Sequence, residues 1–383
     1  MRTYWSHIPD SWRSSVLAWL AGRLTLTLWG ALLFWAGMTV NPRQINYYEI
    51  APRPEGWQAA LLGIWTMWDG IHYLRIAELG YFDYQLTAFF PLYPLLGRWL
   101  AKLMGVSTLA ALVLLSSLAY LFALFFLYKI VEEIYSAQVA RTAVFVAAFF
   151  PTVVFNFATY PISTSLLLIL IACWAALKRK WFLATLAGFA LALTHGSGMP
   201  LAALLAFEVF DFLRRSKGIA RWMVLATPLA PFMGVTVYLG WRLARGYPPY
   251  WQVVAEFPWE SATQMPWQTL MDFPNLLRSP NPLTAAVDFM LFLLALITIV
   301  WGVVGLRRSH LVYLVVFVVY MLFFVNTGEP LVGYTRYILL MFPVYVIIAL
   351  WVQNPQARKI CFAVMLGVNL FMSWLFFMGL FIG

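Results

Sequence analysis

Charge is what this chain has least of: Asp, Glu, Lys and Arg make up 10% of its 383 residues, against 63% hydrophobic residues. A soluble domain carries about 25% charged residues, so a water-facing surface of that kind is excluded. Cysteine is nearly absent. Cys173 and Cys361 sit inside apolar runs far apart in sequence, with no metal-ligand spacing and no disulfide framework. No H-E-x-x-H, EF-hand loop, Walker A or G-x-S-x-G pattern occurs. Zinc proteolysis, calcium sensing, ATP-driven work and ordinary serine hydrolysis therefore lack their signatures. There is also no internal repeat, which counts against a secondary transporter built from repeated halves.

What is present is apolar length. Crossing roughly 30 Å of hydrocarbon takes about 17 to 25 apolar residues. Runs approaching or reaching that length fall at 16–40, 109–130, 142–158, 162–177, 181–194, 199–213, 222–243, 285–306, 311–325, 337–352 and 360–381. The expectation is an all-α polytopic membrane protein of about eleven transmembrane helices, one catalytic membrane domain over 1–383, with 89–104 as a re-entrant or additional span. The first run is about 25 residues long, contains Arg23 and Trp29, and lacks a small-x-small cleavage site, so it is read as a retained helix rather than a signal peptide. Arg23 would cost about 3 kcal/mol or more if left unpaired, so it should face the bundle interior.

The short basic loops, Lys178-Arg179-Lys180, Arg214-Arg215-Ser216-Lys217, Arg307-Arg308 and Arg358-Lys359, fall on one side in this count and mark it cytoplasmic. The N-terminus is then inside. The net charge of +10 is mainly a topology signal, with no nucleic-acid face, because the basic groups are scattered in tight turns. The polar segments gather on the opposite side: the loop 41–106, Tyr160, Thr194 to Gly198, the aromatic and Pro-rich loop 245–282, and Asn326 to Arg336. Catalytic groups carried on outer loops and braced by a bundle fit an enzyme of the extracytoplasmic face.

Trp68 to Tyr81 concentrates polar groups in a short helix lying along the interface. Ile71, Leu74, Ile76 and Leu79 form its apolar side, and His72, Arg75 and Glu78 its polar side. Asp69 reads either as an N-cap, with Gly80 ending the helix in a left-handed conformation, or as a catalytic carboxylate at the helix mouth.

Three blocks follow one another here: Trp68-Asp69-Gly70-Ile71-His72-Tyr73, Ile76-Ala77-Glu78-Leu79-Gly80-Tyr81, and Ala88-Phe89-Phe90-Pro91-Leu92-Tyr93-Pro94. Together they resemble the PIG-V family of mannosyltransferases, whose pattern is WD-x-x-H-[FY], then I-A-x-x-G-Y, then A-F-F-P-x-x-P in the first extracytoplasmic loop. The resemblance implies a GT-C type glycosyltransferase taking mannose from a polyprenyl-phosphate carrier to an acceptor hydroxyl; eukaryotic members add the second mannose of the glycosylphosphatidylinositol anchor. It implies the plasma membrane in a prokaryote and the endoplasmic reticulum membrane in a eukaryote. Two departures stand out. Tyr160-Pro161-Ile162-Ser163 replaces the family's Tyr-Thr-Glu-Ser, and Thr194-His195 replaces its Thr-Arg.

The residues fit that chemistry independently. Transfer needs a carboxylate to take the acceptor's proton, for which Asp69 is the first choice and Glu78 and Asp83 the alternatives. It also needs a cation for the departing lipid phosphate. Arg336, in Gly333-Tyr334-Thr335-Arg336-Tyr337 and ahead of Phe342-Pro343, is the candidate; its other reading is a snorkelling anchor. His72, Arg75, Glu78, Tyr160 and His195 are the further candidate contacts to substrate, His195 being equally readable as a hydrogen-bonded turn residue. No cofactor is expected, and a divalent metal, which Asp69 with Glu78 or Asp83 could hold, is not implied. The partners are a polyprenyl-phosphate-linked sugar, a glycolipid or glycan acceptor, and membrane lipid. A lipid or glycolipid transporter and a non-catalytic scaffold are the alternatives.

Overall fold

The computed structural model describes residues 8–40, 54–216, 219–256, 260–326 and 329–380, without the side chains of 219–223 and 326. Asn46 and Phe257-Pro258-Trp259 lie outside these. Helices cover most of each of the eleven apolar runs, but they differ in reach. Six are long and apolar enough to cross a membrane: Asp10–Trp35, Thr108–Ile134, Gly196–Arg215, Val224–Ala244, Pro282–Gly305 and Pro355–Phe377. With the composition, they make the chain an integral membrane protein. The pair Tyr334–Leu340 and Pro343–Trp351 would be a seventh, bent by 79° where Pro343 interrupts the ladder. Ala137–Ala148, Ile162–Leu177, Trp181–Thr194 and Arg308–Met321 are shorter. At 1.5 Å per residue they span about 18 to 24 Å, less than the hydrocarbon thickness. Eleven straight crossings are therefore not what the structure shows. The expected span 142–158 in particular is broken after Ala148, with Pro151 in the break and a separate turn at Val154–Phe157.

By their contacts the residues form two compact units. The first comprises Met1–Gly80, Tyr93–Leu170 and Tyr345–Ile382. Within it Trp19 Nε1 of the first helix donates to Ser117 O at 2.8 Å, and Gly22 admits the Ala148 carbonyl, which a Cβ there would meet at 2.8 Å. The opposite face of that helix exposes Leu17, Leu24, Leu28 and Leu32, as a lipid-facing surface does. Arg23 turns inward: its guanidinium lies 4.3 Å from the Trp65 ring centroid and donates to Phe157 O at 3.3 Å. An aromatic face and a carbonyl, rather than an acid, meet this charge. Leu92–Met104 is a short amphipathic helix of 13 residues, about 20 Å long and thus no span, with Trp99 and Leu103 exposed and Gly97 set against Leu112.

The second unit comprises Tyr81–Leu92 and Ile171–Val344. Gly234 lets the Ala230–Ala244 helix approach Phe189 O, which a Cβ would meet at 2.6 Å. Arg307 grips Glu208 through Nε and Nη2, both at 2.8 Å. The all-α expectation missed a small antiparallel sheet: Ser261–Thr263 pairs with Phe324–Asn326, Ser261 opposite Asn326, and Phe324–Asn326 pairs with Glu329–Pro330. Strands of two or three residues are too short to show a period of two.

Candidate functional site

The candidate residues fall in both units, and each group has its own construction. In the first unit the helix Asp69–Leu79 buries Gly70, Ile71, Tyr73, Leu74, Ile76 and Ala77, while Asp69, His72, Arg75 and Glu78 are half-buried along one winding polar stripe. Leu79, expected on the apolar side, is 51% exposed. Asp69 is the first helical residue and not the N-cap: that position belongs to Trp68, which makes no side-chain cap bond. Gly80 ends the helix at φ 80°, ψ −162°, a positive φ but not the helical left-handed basin. Asp69 and Glu78 lie nine residues apart, about 13 Å along the axis, so they cannot share one metal ion or stand in for one another at one reacting atom.

Trp68 itself has φ 52° and ψ −125°, a conformation that costs a non-glycine residue about 1 to 3 kcal/mol. Such a turn persists only when its surroundings fix it, and they are specific. Thr159 N donates to Trp65 O at 3.1 Å, and Tyr160 Oη donates to Met67 O at 2.9 Å. Gly70 is pressed onto the same segment, where a Cβ would stand 2.4 Å from Thr159 Oγ1. At the other end of the helix, Arg98 donates to the carbonyls of Ile76, which also takes the Gly80 N–H, and of Ala77, placing a cation at the negative end of the helix dipole. Tyr160, expected among the substrate contacts, is 1% exposed and donates its hydroxyl proton to Met67 O, two residues ahead of Asp69. Thr159 and Arg98 were missed by sequence reading; only tertiary contact gives them a role.

In the second unit His195 ends the Trp181–Thr194 helix and opens the turn Gly196–Gly198. Its Nδ1 accepts the Ser197 N–H at 3.1 Å, which places the proton of the neutral ring on Nε2. The turn is lined by aromatic rings: Tyr320 Oη donates to Gly196 O at 3.1 Å, and the Tyr337 ring lies 5.6 Å from the His195 ring. Arg336 folds back over Gly333, at φ +83°, where a Cβ would meet its Nη2 at 3.0 Å. Asp288, buried on the Pro282–Gly305 helix, accepts the Thr335 N–H at 2.7 Å and lies within electrostatic reach of Arg336. This carboxylate was invisible inside an apolar run. Asp83 is engaged locally, accepting the Gln85 N–H at 3.0 Å.

The Ala88-Phe89-Phe90-Pro91 block is pinned by tyrosines. Tyr238 Oη donates to Thr87 O and Phe89 O at 2.8 and 2.9 Å, Tyr81 Oη to Phe89 O at 2.8 Å, and Tyr250 Oη to Ala88 O at 3.3 Å. Phe90 rests on the Tyr238 ring at 4.8 Å. Burial pushes the Tyr250 hydroxyl up to about 12, so it stays a donor at ordinary pH. Within the loop 245–282, Tyr250 thus faces inward while Trp251 is 70% exposed. Among the described residues no three His, Cys, Asp or Glu side chains are grouped to hold a metal ion.

No protein-family model matches the chain, and no curated protein matches it. Among solved structures it is similar to the Archaeoglobus fulgidus oligosaccharyltransferase in complex with zinc and sulfate, at 14% identity, 93% of this chain, 53% of that chain and a TM-score of 0.47. It is also similar to the archaeal oligosaccharyltransferase AglB of the same organism in complex with an inhibitory peptide and a dolichol-phosphate, at 13% identity, 92% of this chain, 55% of that chain and a TM-score of 0.42. The chain spans about half the length of these proteins. Likeness at that level does not fix a shared function, and the functional reading rests on the chain's own residues.

Proposed function

We propose that the protein is a GT-C type glycosyltransferase that moves a hexose, mannose by its PIG-V-like motifs, from a polyprenyl-phosphate donor to an acceptor hydroxyl at the extracytoplasmic face. The observation that carries this reading is the placement of Asp69: a half-buried carboxylate in the first turn of a short helix, beside the strained Trp68, with the turn held from below by Thr159 and Tyr160. A carboxylate beside a strained turn that its surroundings hold in place is suited to act as a positioned base.

In the proposed step Asp69 takes the proton of the acceptor hydroxyl. The hydroxyl oxygen bonds to the anomeric carbon as the bond from that carbon to the phosphate oxygen breaks, and polyprenyl phosphate leaves with the electron pair. One displacement inverts the anomeric centre. Arg336 is our candidate for the charge that develops on the phosphate, and His72, Arg75, Glu78 and His195 are candidate substrate contacts. Tyr160 acts through Met67.

The test is incubation of the purified chain with labelled polyprenyl-phosphate-mannose and a panel of glycolipid, glycan and peptide acceptors. Label on an acceptor with inverted configuration is expected. Movement of intact lipid-linked sugar across a bilayer with no new glycosidic bond would assign the protein to transport instead.

A further inference from the structure

Arg242 is the residue that the glycosyl-transfer chemistry above leaves unused. It sits in the last turn of the Ala230–Ala244 helix and is 2% exposed, although the next residues, Leu243, Ala244 and Arg245, are all exposed. Its two hydrogen bonds both leave from Nη2, to Thr87 Oγ1 at 2.9 Å and to Pro248 O at 3.0 Å. Both acceptors are neutral. Its Nε is buried with no partner among the described residues. The guanidinium lies 5.2 Å from the Tyr250 ring centroid, and the charged or titratable groups acting on it among the described residues are Tyr238, Tyr250 and Tyr81, none of them a carboxylate.

Arg307 of this unit, which is exposed, is paired with Glu208 in two bonds, and the half-buried Arg336 lies within electrostatic reach of Asp288. A covered cation with spare N–H donors and no counter-charge is energetically incomplete, and an anion supplies what is missing. The surroundings select the kind of anion. Arg242 bonds to Thr87, beside the Ala88-Phe89-Phe90-Pro91 block, and its helix exposes Phe232, Met233, Val237 and Leu243 as a lipid-facing flank. A phosphate carried on a lipid satisfies both the charge and the apolar flank.

We propose that Arg242, with Thr87 and Tyr250, forms a subsite for the phosphate of a polyprenyl-phosphate lipid. The phosphate takes the Nε donor and displaces the Pro248 carbonyl from Nη2, exchanging a neutral acceptor for a charged one. The identity of the lipid rests on the transferase reading; the anion site does not.

Binding, not transfer, is the measurement. The full chain in nanodiscs is titrated with polyprenyl phosphate, phosphatidylglycerol and inorganic phosphate, as wild type and as Arg242→Gln, with thermal unfolding to confirm the fold. Polyprenyl phosphate should bind the wild type and weaken at least tenfold in Arg242→Gln. Competition by millimolar inorganic phosphate would assign recognition to the free anion, and its absence to the lipid-linked one; both support the subsite. Equal binding of polyprenyl phosphate by wild type and folded Arg242→Gln overturns it. Should that variant fail to fold, a photoreactive phosphate ester of a polyprenol is applied to the wild type. Labelling within 241–250 or 84–90 supports the subsite, and labelling confined elsewhere overturns it. Wild type that binds through Arg242 yet transfers no sugar would count against the transferase reading alone.

Discussion

The Tyr160 hydroxyl donates to the backbone carbonyl of Met67 at 2.9 Å, two residues ahead of Asp69. A side chain predicted to touch substrate is thereby committed to the backbone that aims the proposed base. The two roles are separable by experiment.

Tyr160→Phe removes one buried hydrogen bond and leaves the ring in place. The bond is worth about 0.5 to 1.5 kcal/mol, and spent on aiming Asp69 in the transition state it gives a fall in kcat of about two- to tenfold with KM almost unchanged. Steady-state kinetics against donor and acceptor check this. A rise in KM at constant kcat would return Tyr160 to substrate contact.

Gly70→Ala places a methyl 2.4 Å from Thr159 Oγ1. Overpacking at such a site costs about 1 to 3 kcal/mol, and the helix must lift away from the Thr159 segment. Adding Thr159→Ala to Gly70→Ala should restore part of the lost stability, because the hydroxyl is the atom in the way. Thermal unfolding of the two single variants and the double variant gives the coupling. Strict additivity would contradict the close approach.

Trp68 occupies backbone space that glycine enters freely. Trp68→Gly should therefore unfold at a higher temperature than Trp68→Ala, by the equivalent of about 1 kcal/mol or more. That reverses the usual order of the two substitutions. If alanine is the more stable, the turn is not strained.

Much of this architecture was legible in the sequence, and the limits have physical causes. Apolar length located every long helix, because a membrane leaves the backbone no other way to satisfy itself. The helix at Asp69–Leu79 showed in its alternation of apolar and polar positions. Hydropathy is blind to breaks, so Pro151 and Pro343 were read through as continuous spans although each residue was in plain view. It is equally blind to pairing. Asp288 looked like one polar residue in an apolar run, and its bond to Thr335 N is visible only in three dimensions. Nothing in the sequence around Arg98 and Arg242 marks them out, yet the first caps a helix and the second is buried against Thr87. Sidedness rested on an even alternation of crossings, which four short helices do not guarantee.

The central claim is that Asp69 is the base for sugar transfer, and Asp69→Asn tests it most directly. Asparagine has almost the same shape as aspartate, and at the first helical position it forfeits a favourable charge at the helix N-terminus, about 0.3 to 1 kcal/mol, so the fold should survive. Asparagine cannot accept the acceptor's proton. The measurement is the transfer rate from labelled polyprenyl-phosphate sugar to its acceptor, at saturating donor, for wild type and folded Asp69→Asn side by side. The account predicts donor binding unchanged and a rate lower by about a hundred- to ten-thousand-fold. Transfer by Asp69→Asn within a few-fold of wild type would contradict it.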